Sequence, residues 1–169
     1  VNVRQHTPEG TFEAFEKDIP RIKEMGVDIL WLMPIHPIGV VNRKGKLGSY
    51  YAVQDYKGIN SEYGDLEDFK KLVNTAHSYG MKVIIDWVAN HTAFDNHWTK
   101  DHKDFYLLDS LDRIQPPLGT DWTDVAQLDW TNKALWAEMN DALKYWVEIA
   151  NIDGYRCDVA EKVPTEYWN

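Results

Sequence analysis

Two short stretches, Val27 to Met33 (VDILWLM) and Met81 to Val88 (MKVIIDWV), are apolar almost without interruption. A strand with one face in water alternates apolar and polar residues. A run without alternation belongs to a strand covered on both faces, which points to a parallel sheet with helices packed outside it. The segments around the runs supply those helices. Phe12, Phe15, Ile19, Ile22 and Met25 recur at spacings of three and four behind a cap at Thr11, and predict one helix bent at Pro20 and closed by Gly26. Leu66, Phe69, Leu72, Val73 and Ala76 form the stripe of a helix from Asp65 to Tyr79, closed by Gly80. A third helix runs from Asn132 to Ala150, with Leu135, Met139, Ala142, Leu143, Trp146 and Val147 on one face. Val1 to Arg4 is read as a strand ahead of the first helix, and Asp153 to Val159 (DGYRCDV) as a strand after the third. Pro164-Thr165-Glu166 leads towards a fourth helix.

Strand and helix alternating in this way fit either half of an eight-stranded barrel or a small doubly wound sheet. Neither G-x-G-x-x-G nor G-x-x-x-x-G-K-[ST] occurs, which favours the barrel. On that reading residues 1–91 hold three units and residues 92–131 form an irregular excursion containing Pro116-Pro117 and Gly119. Residues 132–169 return to the barrel with the third helix, the last strand and the start of a fourth helix. The connection after Met33 runs for about thirty residues, longer than a simple link requires, and is read as functional. It is basic from Val41 to Gly48 and dense in tyrosine from Ser49 to Gly64.

Composition removes several function classes. With 18 Lys+Arg against 27 Asp+Glu the net charge is −9, the wrong sign for neutralising phosphates, so no nucleic-acid partner is expected. The one cysteine, Cys157, excludes an internal disulfide framework and a multi-cysteine zinc site. No apolar run approaches the roughly 20 residues that cross a bilayer. The chain opens on Val1-Asn2-Val3-Arg4, with neither a signal-like segment nor an initiator Met, and is read as part of something longer.

In both architectures the working residues sit at the carboxyl ends of the strands. Arg156 and Asp158 are two apart on one strand and so share a face, and Asp86 on the neighbouring strand is within reach. A guanidinium beside two carboxylates favours their ionised forms, the state an aspartate needs to attack a sugar carbon. For Asp86 alone, an ion pair that only orients strand ends is as good a reading as direct chemistry. Asp158 is one carboxylate more than Arg156 requires, and an uncommitted charge at a barrel mouth is a site candidate. His91, beside the end of its strand, is read as a substrate hydrogen bond. His97 and His102 lack zinc-like spacing from it. Asn90-His91-Thr92 matches the glycosylation sequon by chance. Tyr50, Tyr51, Tyr56, Tyr63, Trp122 and Trp130 can pack irregular segments or stack on sugar rings, and the sequence leaves that open. Cys157 faces away from Arg156 and Asp158 and is read as a packing residue.

The segments Asp86-Trp87-Val88-Ala89-Asn90-His91 and Gly154-Tyr155-Arg156-Cys157-Asp158-Val159-Ala160 resemble the first and second signatures of the alpha-amylase family, glycoside hydrolase family 13. Gly48-Ser49-Tyr50-Tyr51-Ala52-Val53-Gln54-Asp55-Tyr56, followed by Glu62-Tyr63-Gly64, resembles that family's link between its second strand and second helix. The resemblance implies a TIM (β/α)8 barrel, of which this chain holds about the first four units, with residues 92–131 as a short inserted domain B. It also implies retaining hydrolysis, or transfer, at alpha-glucosidic bonds of starch or malto-oligosaccharides, with no cofactor required for the chemistry. Asp158 then falls on the nucleophile, Arg156 on the arginine that keeps it charged, His91 on a hydrogen bond to the reacting sugar, and Tyr51 on the ring stacked beneath it. Asp86 falls on a structural aspartate placed with the substrate-binding set.

Three departures qualify the resemblance. The signatures carrying the general-acid glutamate and the second aspartate lie on later strands, and retaining hydrolysis needs two carboxyl groups about 5 to 5.5 Å apart. The 169 residues alone are therefore expected to be inactive. Asn90 falls on a calcium-ligand position, but the partner aspartate is replaced by Gln127, a weaker ligand for a hard cation, which disfavours structural calcium. Glu161-Lys162 stands where many alpha-amylases have Lys-His, implying different aglycone sugars or transfer. Two rivals remain: a noncatalytic glucan-binding or protein-interaction relative, against which Asp158 counts, and a barrel metal hydrolase using Asp86, His91 and Asp158 as ligands. Half a barrel leaves two open sheet edges, which two copies could cover by pairing. Family habit favours a secreted or periplasmic location over a cytoplasmic one.

Overall fold

The computed structural model describes residues 1–169. In chain order the elements are α1 (Val3–His6), α2 (Phe12–Glu16), α3 (Ile19–Glu24), β1 (Ile29–Leu32), α4 (Leu66–Ser78), β2 (Lys82–Val88), β3 (His91–Ala93), α5 (Trp98–Asp101), β4 (Val125–Gln127), α6 (Lys133–Ala150), β5 (Gly154–Asp158) and α7 (Thr165–Trp168). Strands β1, β2 and β5 form one parallel sheet with β2 in the middle, and β3 and β4 form a separate antiparallel pair.

The two long helices start and stop where their end chemistry dictates. Asp65 accepts hydrogen bonds from the Glu67 and Asp68 amides at 2.9 and 3.0 Å, while the Asp68 carboxylate accepts from the Asp65 amide at 3.0 Å, a reciprocal capping box ahead of α4. Gly80, at φ +68°, lets the chain leave α4 and turn into β2. The Asn132 side chain caps α6 by accepting from the Ala134 amide at 2.9 Å, and Asn151 ends it in the left-handed region. Both helices cover one face of the sheet, where Leu30, Leu32, Val83, Ile85 and Trp87 are buried with Phe69, Leu72, Leu135, Met139 and Trp146. The Trp146 indole donates to the Tyr56 carbonyl at 2.7 Å and ties α6 to the long loop. His36 sits wholly buried among the rings of Tyr56, Trp87 and Trp146, and burial pushes its imidazole down to about 4.

The opposite face is different. Ile29 and Trp31 alternate with Leu30 and Leu32 along β1 and are 54% and 44% exposed. The apolar run at Val27 to Met33 predicted cover on both faces, and these residues have it on one, because a three-stranded sheet provides nothing to pack against the inward side.

Two further expectations are corrected. Val1 to Arg4 is not a strand: the chain turns after Asn2 into α1, and only Val1 lies along β1, its amino group donating to the Trp31 carbonyl at 2.6 Å and its carbonyl accepting from the Met33 amide at 2.9 Å. Four alternating residues are too few for periodicity to separate strand from turn. The single bent helix predicted from Thr11 to Met25 is two, because Pro20 sits in the first turn of α3, where its missing N–H removes no hydrogen bond, and so starts a helix rather than bending one. The excursion is rooted by the β3–β4 pair and by the Thr92 and Tyr106 hydroxyls, 2.9 Å apart. No helix is long and apolar enough to cross a membrane.

Candidate active site

The register of the parallel sheet assembles the site. Asp86 on β2 lies opposite Arg156 on β5, and Val88 lies opposite Asp158. Because side chains alternate along a strand, Asp86, Arg156 and Asp158 share the inward face while Cys157 shares the helix-covered face with Trp87. One guanidinium nitrogen, Arg156 Nη1, donates to Asp86 Oδ1 at 3.0 Å, Asp86 Oδ2 at 3.2 Å and Asp158 Oδ1 at 2.6 Å. The Trp31 ring lies under that guanidinium, 4.9 Å from its centre. Burial pushes the Cys157 thiol up, which keeps it protonated and suits a packing role.

The two carboxylates have different surroundings. Asp86 is fully buried, and its Oδ2 also accepts from the Trp31 indole at 3.1 Å and the Tyr51 hydroxyl at 3.3 Å. Asp158 keeps 18% of its side-chain surface exposed and lines a cavity of about 590 Å³ together with Tyr51, His91, Trp122 and Val159. Asp86 is absent from that lining and instead holds Arg156, Tyr51 and Trp31 by hydrogen bonds. At Asp86 the guanidinium of Arg156 does favour the ionised form, as expected, but it acts against a larger effect. There burial is the largest influence and pushes the carboxyl up, against the pull of Arg156 and Trp31.

His91 opens β3 and is 3% exposed. Burial drives its imidazole down to about 4, outweighing the attraction of Asp158 and Asp124, so at neutral pH the ring is uncharged. The Asn90 side chain lies 3.1 Å from His91 Nδ1, and since Asn90 Oδ1 is taken by Gln127, the amide nitrogen of Asn90 is the donor. That assignment leaves the ring proton on Nε2. Tyr51 is half-buried, and burial together with Asp86 and Asp158 raises its hydroxyl to about 12, which keeps it a donor.

The aromatic set divides. Tyr56, Tyr63 and Trp130 are core residues, whereas Tyr51 and Trp122 face the cavity. Trp122 is tilted against His91 with ring centres 5.5 Å apart, and the Lys162 ammonium lies over its ring at 4.3 Å. Sequence reasoning missed Lys44, Asp121, Asp124 and Val159 in the lining. Lys44 pairs with Asp124 at 3.6 Å and bonds the Asp121 carbonyl, so the basic stretch of the long loop and the acidic end of the excursion are drawn together, a contact between segments with no shared motif. Val159, at φ +41°, holds a left-handed conformation unusual for a β-branched residue, which turns the chain sharply after Asp158 into the cavity wall.

The metal expectations fare differently. Nowhere do three His, Cys, Asp or Glu side chains gather as a metal site would need, and Arg156, already a cation, sits between Asp86 and Asp158, so the metal-hydrolase arrangement of Asp86, His91 and Asp158 is not formed. Asn90, expected as a possible calcium ligand, has its side-chain oxygen bonded to the Gln127 amide at 3.1 Å, and its side-chain hydrogen-bond partners, Gln127 and His91, include no carboxylate; these residues do not fit calcium.

Comparison with known proteins places this geometry. Residues 5–117 and 117–168 match the model of the alpha-amylase catalytic domain. An alpha-amylase from Lactobacillus plantarum superposes with a TM-score of 0.95 at 48% identity over 99% of this chain and 39% of that one. A noncanonic maltogenic alpha-amylase from Thermotoga neapolitana gives 0.92 at 42% identity over 99% and 40%. An alpha-1,4-glucan:maltose-1-phosphate maltosyltransferase from Cereibacter sphaeroides is 30% identical over 94% of this chain and 30% of its own length. The chain thus spans well under half of these relatives. The parallel sheet is part of a TIM barrel, and the exposed Ile29 and Trp31 lie on the face that points into it.

The buried histidines give the protein an acid sensitivity of definite sign. His36 and His91 each bind a proton near pH 6.5 when unfolded but only near 4 when folded, so the unfolded state takes up more protons between those values and stability falls as the pH drops through them. Asp153, held at about 2 by Lys82, the Val83 amide and His77 against its own burial, adds a further loss only below its ordinary 3.8. Urea midpoints measured across this range should be flat above about pH 7 and decline steadily below 6.5. His36→Phe should flatten part of the decline; an unchanged midpoint down to pH 4.5 would contradict the assignment.

Proposed function

The chain belongs to the alpha-amylase family, glycoside hydrolase family 13, and from that premise we propose that it is the nucleophile-bearing part of an enzyme that cleaves alpha-glucosidic bonds of starch or malto-oligosaccharides with retention of configuration. One observation carries the reading: Asp158 presents a carboxylate to a cavity while Arg156 grips one of its oxygens at 2.6 Å. A nucleophilic carboxylate must be charged, aimed and reachable, and these contacts support each requirement.

In the proposed reaction Asp158 attacks the anomeric carbon and forms a covalent glycosyl-enzyme, which water or a second sugar resolves. Arg156 orients the carboxylate through the contact at 2.6 Å. Tyr51 offers an aromatic face to the ring of the reacting sugar, and the Nε2–H of uncharged His91 donates to one of its hydroxyls. Trp122, backed by Lys162, forms a second wall. The acid that protonates the leaving oxygen comes from later strands of the barrel. Transfer to a sugar acceptor is the second reading, favoured by the maltosyltransferases among the relatives and by Lys162, which lies over the Trp122 ring in the place of a different family residue. A purely noncatalytic role sits poorly with an accessible carboxylate held in this way.

In the complete barrel, a fluorinated glucosyl donor should leave a glucosyl adduct on the peptide bearing Asp158, detectable by mass spectrometry, and Asp158→Asn should lower turnover on the order of 10⁴-fold or more. An adduct on another residue, or none, overturns the nucleophile assignment. For the 169 residues alone, the uncovered Ile29 and Trp31 and the open strand edges favour pairing of two copies. Sedimentation should then give a dimer; a folded monomer contradicts this.

A further inference from the structure

Gln127, the last residue of β4, lies opposite His91 in the β3–β4 ladder. Its side-chain nitrogen faces three oxygens from two separate segments: the Asn90 carbonyl at 2.9 Å, the Leu128 carbonyl at 3.0 Å and Asn90 Oδ1 at 3.1 Å. Its side-chain oxygen lies 3.3 Å from the Asn90 amide nitrogen. Oxygens from different parts of a chain that converge on one point repel one another unless something positive stands between them. A hard cation does this with six to eight oxygens at about 2.3–2.6 Å and usually with carboxylates among them. Here the distances are those of hydrogen bonds, the three converging oxygens belong to carbonyls and an amide rather than to carboxylates, and the point of convergence is filled by an NH₂ group.

We propose that the Gln127 amide does the work of a divalent cation at the root of the excursion, drawing together the oxygens of Asn90 and Leu128 so that the protein is held there without calcium. The consequence reaches the cavity. With Oδ1 of Asn90 committed to Gln127, the Asn90 amide nitrogen is turned towards His91 Nδ1, which fixes the proton on the opposite ring nitrogen. Gln127 is therefore a positioning residue that acts on His91 through Asn90. Nothing in this depends on the glycosidic reaction, so its test is separate from that of the proposed function.

The decisive variant is Gln127→Glu in the complete barrel, because it keeps shape and length but replaces two N–H donors with a charged oxygen. Without divalent metal the variant should melt about 5 °C or more below the wild type, since oxygens now face oxygens. Millimolar calcium should restore most of the difference by filling the gap with a cation, while wild-type melting should be the same in EDTA and in calcium. Gln127→Met, which removes the donors without adding charge, should melt lower and gain nothing from calcium, a contrast that a merely space-filling role would not produce. The proposal is overturned if wild-type melting falls in EDTA, if Gln127→Glu melts like the wild type in EDTA, or if calcium leaves its deficit unchanged. The wild-type comparison decides the matter even where a variant fails to fold.

Discussion

A single guanidinium nitrogen between two carboxylates organises this structure. Asp86 is buried so deeply that its charge is disfavoured, and the site holds it by surrounding it with donors: Arg156, the Trp31 indole and the Tyr51 hydroxyl. Each donor is thereby fixed in place. Arg156 is left pointing at Asp158, Tyr51 is left with its ring at the cavity, and Trp31 is left beneath the guanidinium. Removing one member of a buried pair costs more than the pair contributes to stability, so the arrangement is better understood as a device for position than for stability. It is the one-to-one register of β2 with β5 that makes the triad possible.

The end of β2 needs equal care, because a strand that stops exposes carbonyls that must find partners. The Tyr56 hydroxyl donates to the Val88 carbonyl at 2.6 Å, with the His91 carbonyl 3.1 Å from the same oxygen, and the Trp130 indole donates to the Ala89 carbonyl at 3.2 Å. Gln127 completes the set at Asn90. Residues from the long loop and from the excursion therefore close the strand end between them, and His91 is held where those two segments meet. The excursion is tied to the barrel through hydrogen-bonded side chains more than through regular structure.

Much of this was legible in the sequence. Asp65 with Gly80 marked the ends of α4, and Asn132 marked the start of α6, because caps are local chemistry. The shared face of Asp86, Arg156 and Asp158 followed from strand periodicity, and the signatures around them are contiguous enough to be recognised. What stayed hidden was decided by contacts between distant segments. Burial at Asp86 outweighs the guanidinium beside it, and burial cannot be read from neighbours in the chain. Lys44 meets Asp124 only because two loops fold over the same cavity. Pro20 was ambiguous for another reason, since one residue both bends a helix from within and begins one at its first turn. Whether Trp122 packs or faces substrate could not be decided before the cavity itself was seen.

The claim that Arg156 is locked by Asp86 is tested most directly by a double-mutant cycle on folding stability, using Asp86→Asn, Arg156→Met and the two together. Because one partner is wholly buried and the pair shares two hydrogen bonds, the two changes should be coupled by at least about 1 kcal/mol. Effects that simply add, to within about 0.3 kcal/mol, would mean that the two side chains do not depend on one another and would contradict the account.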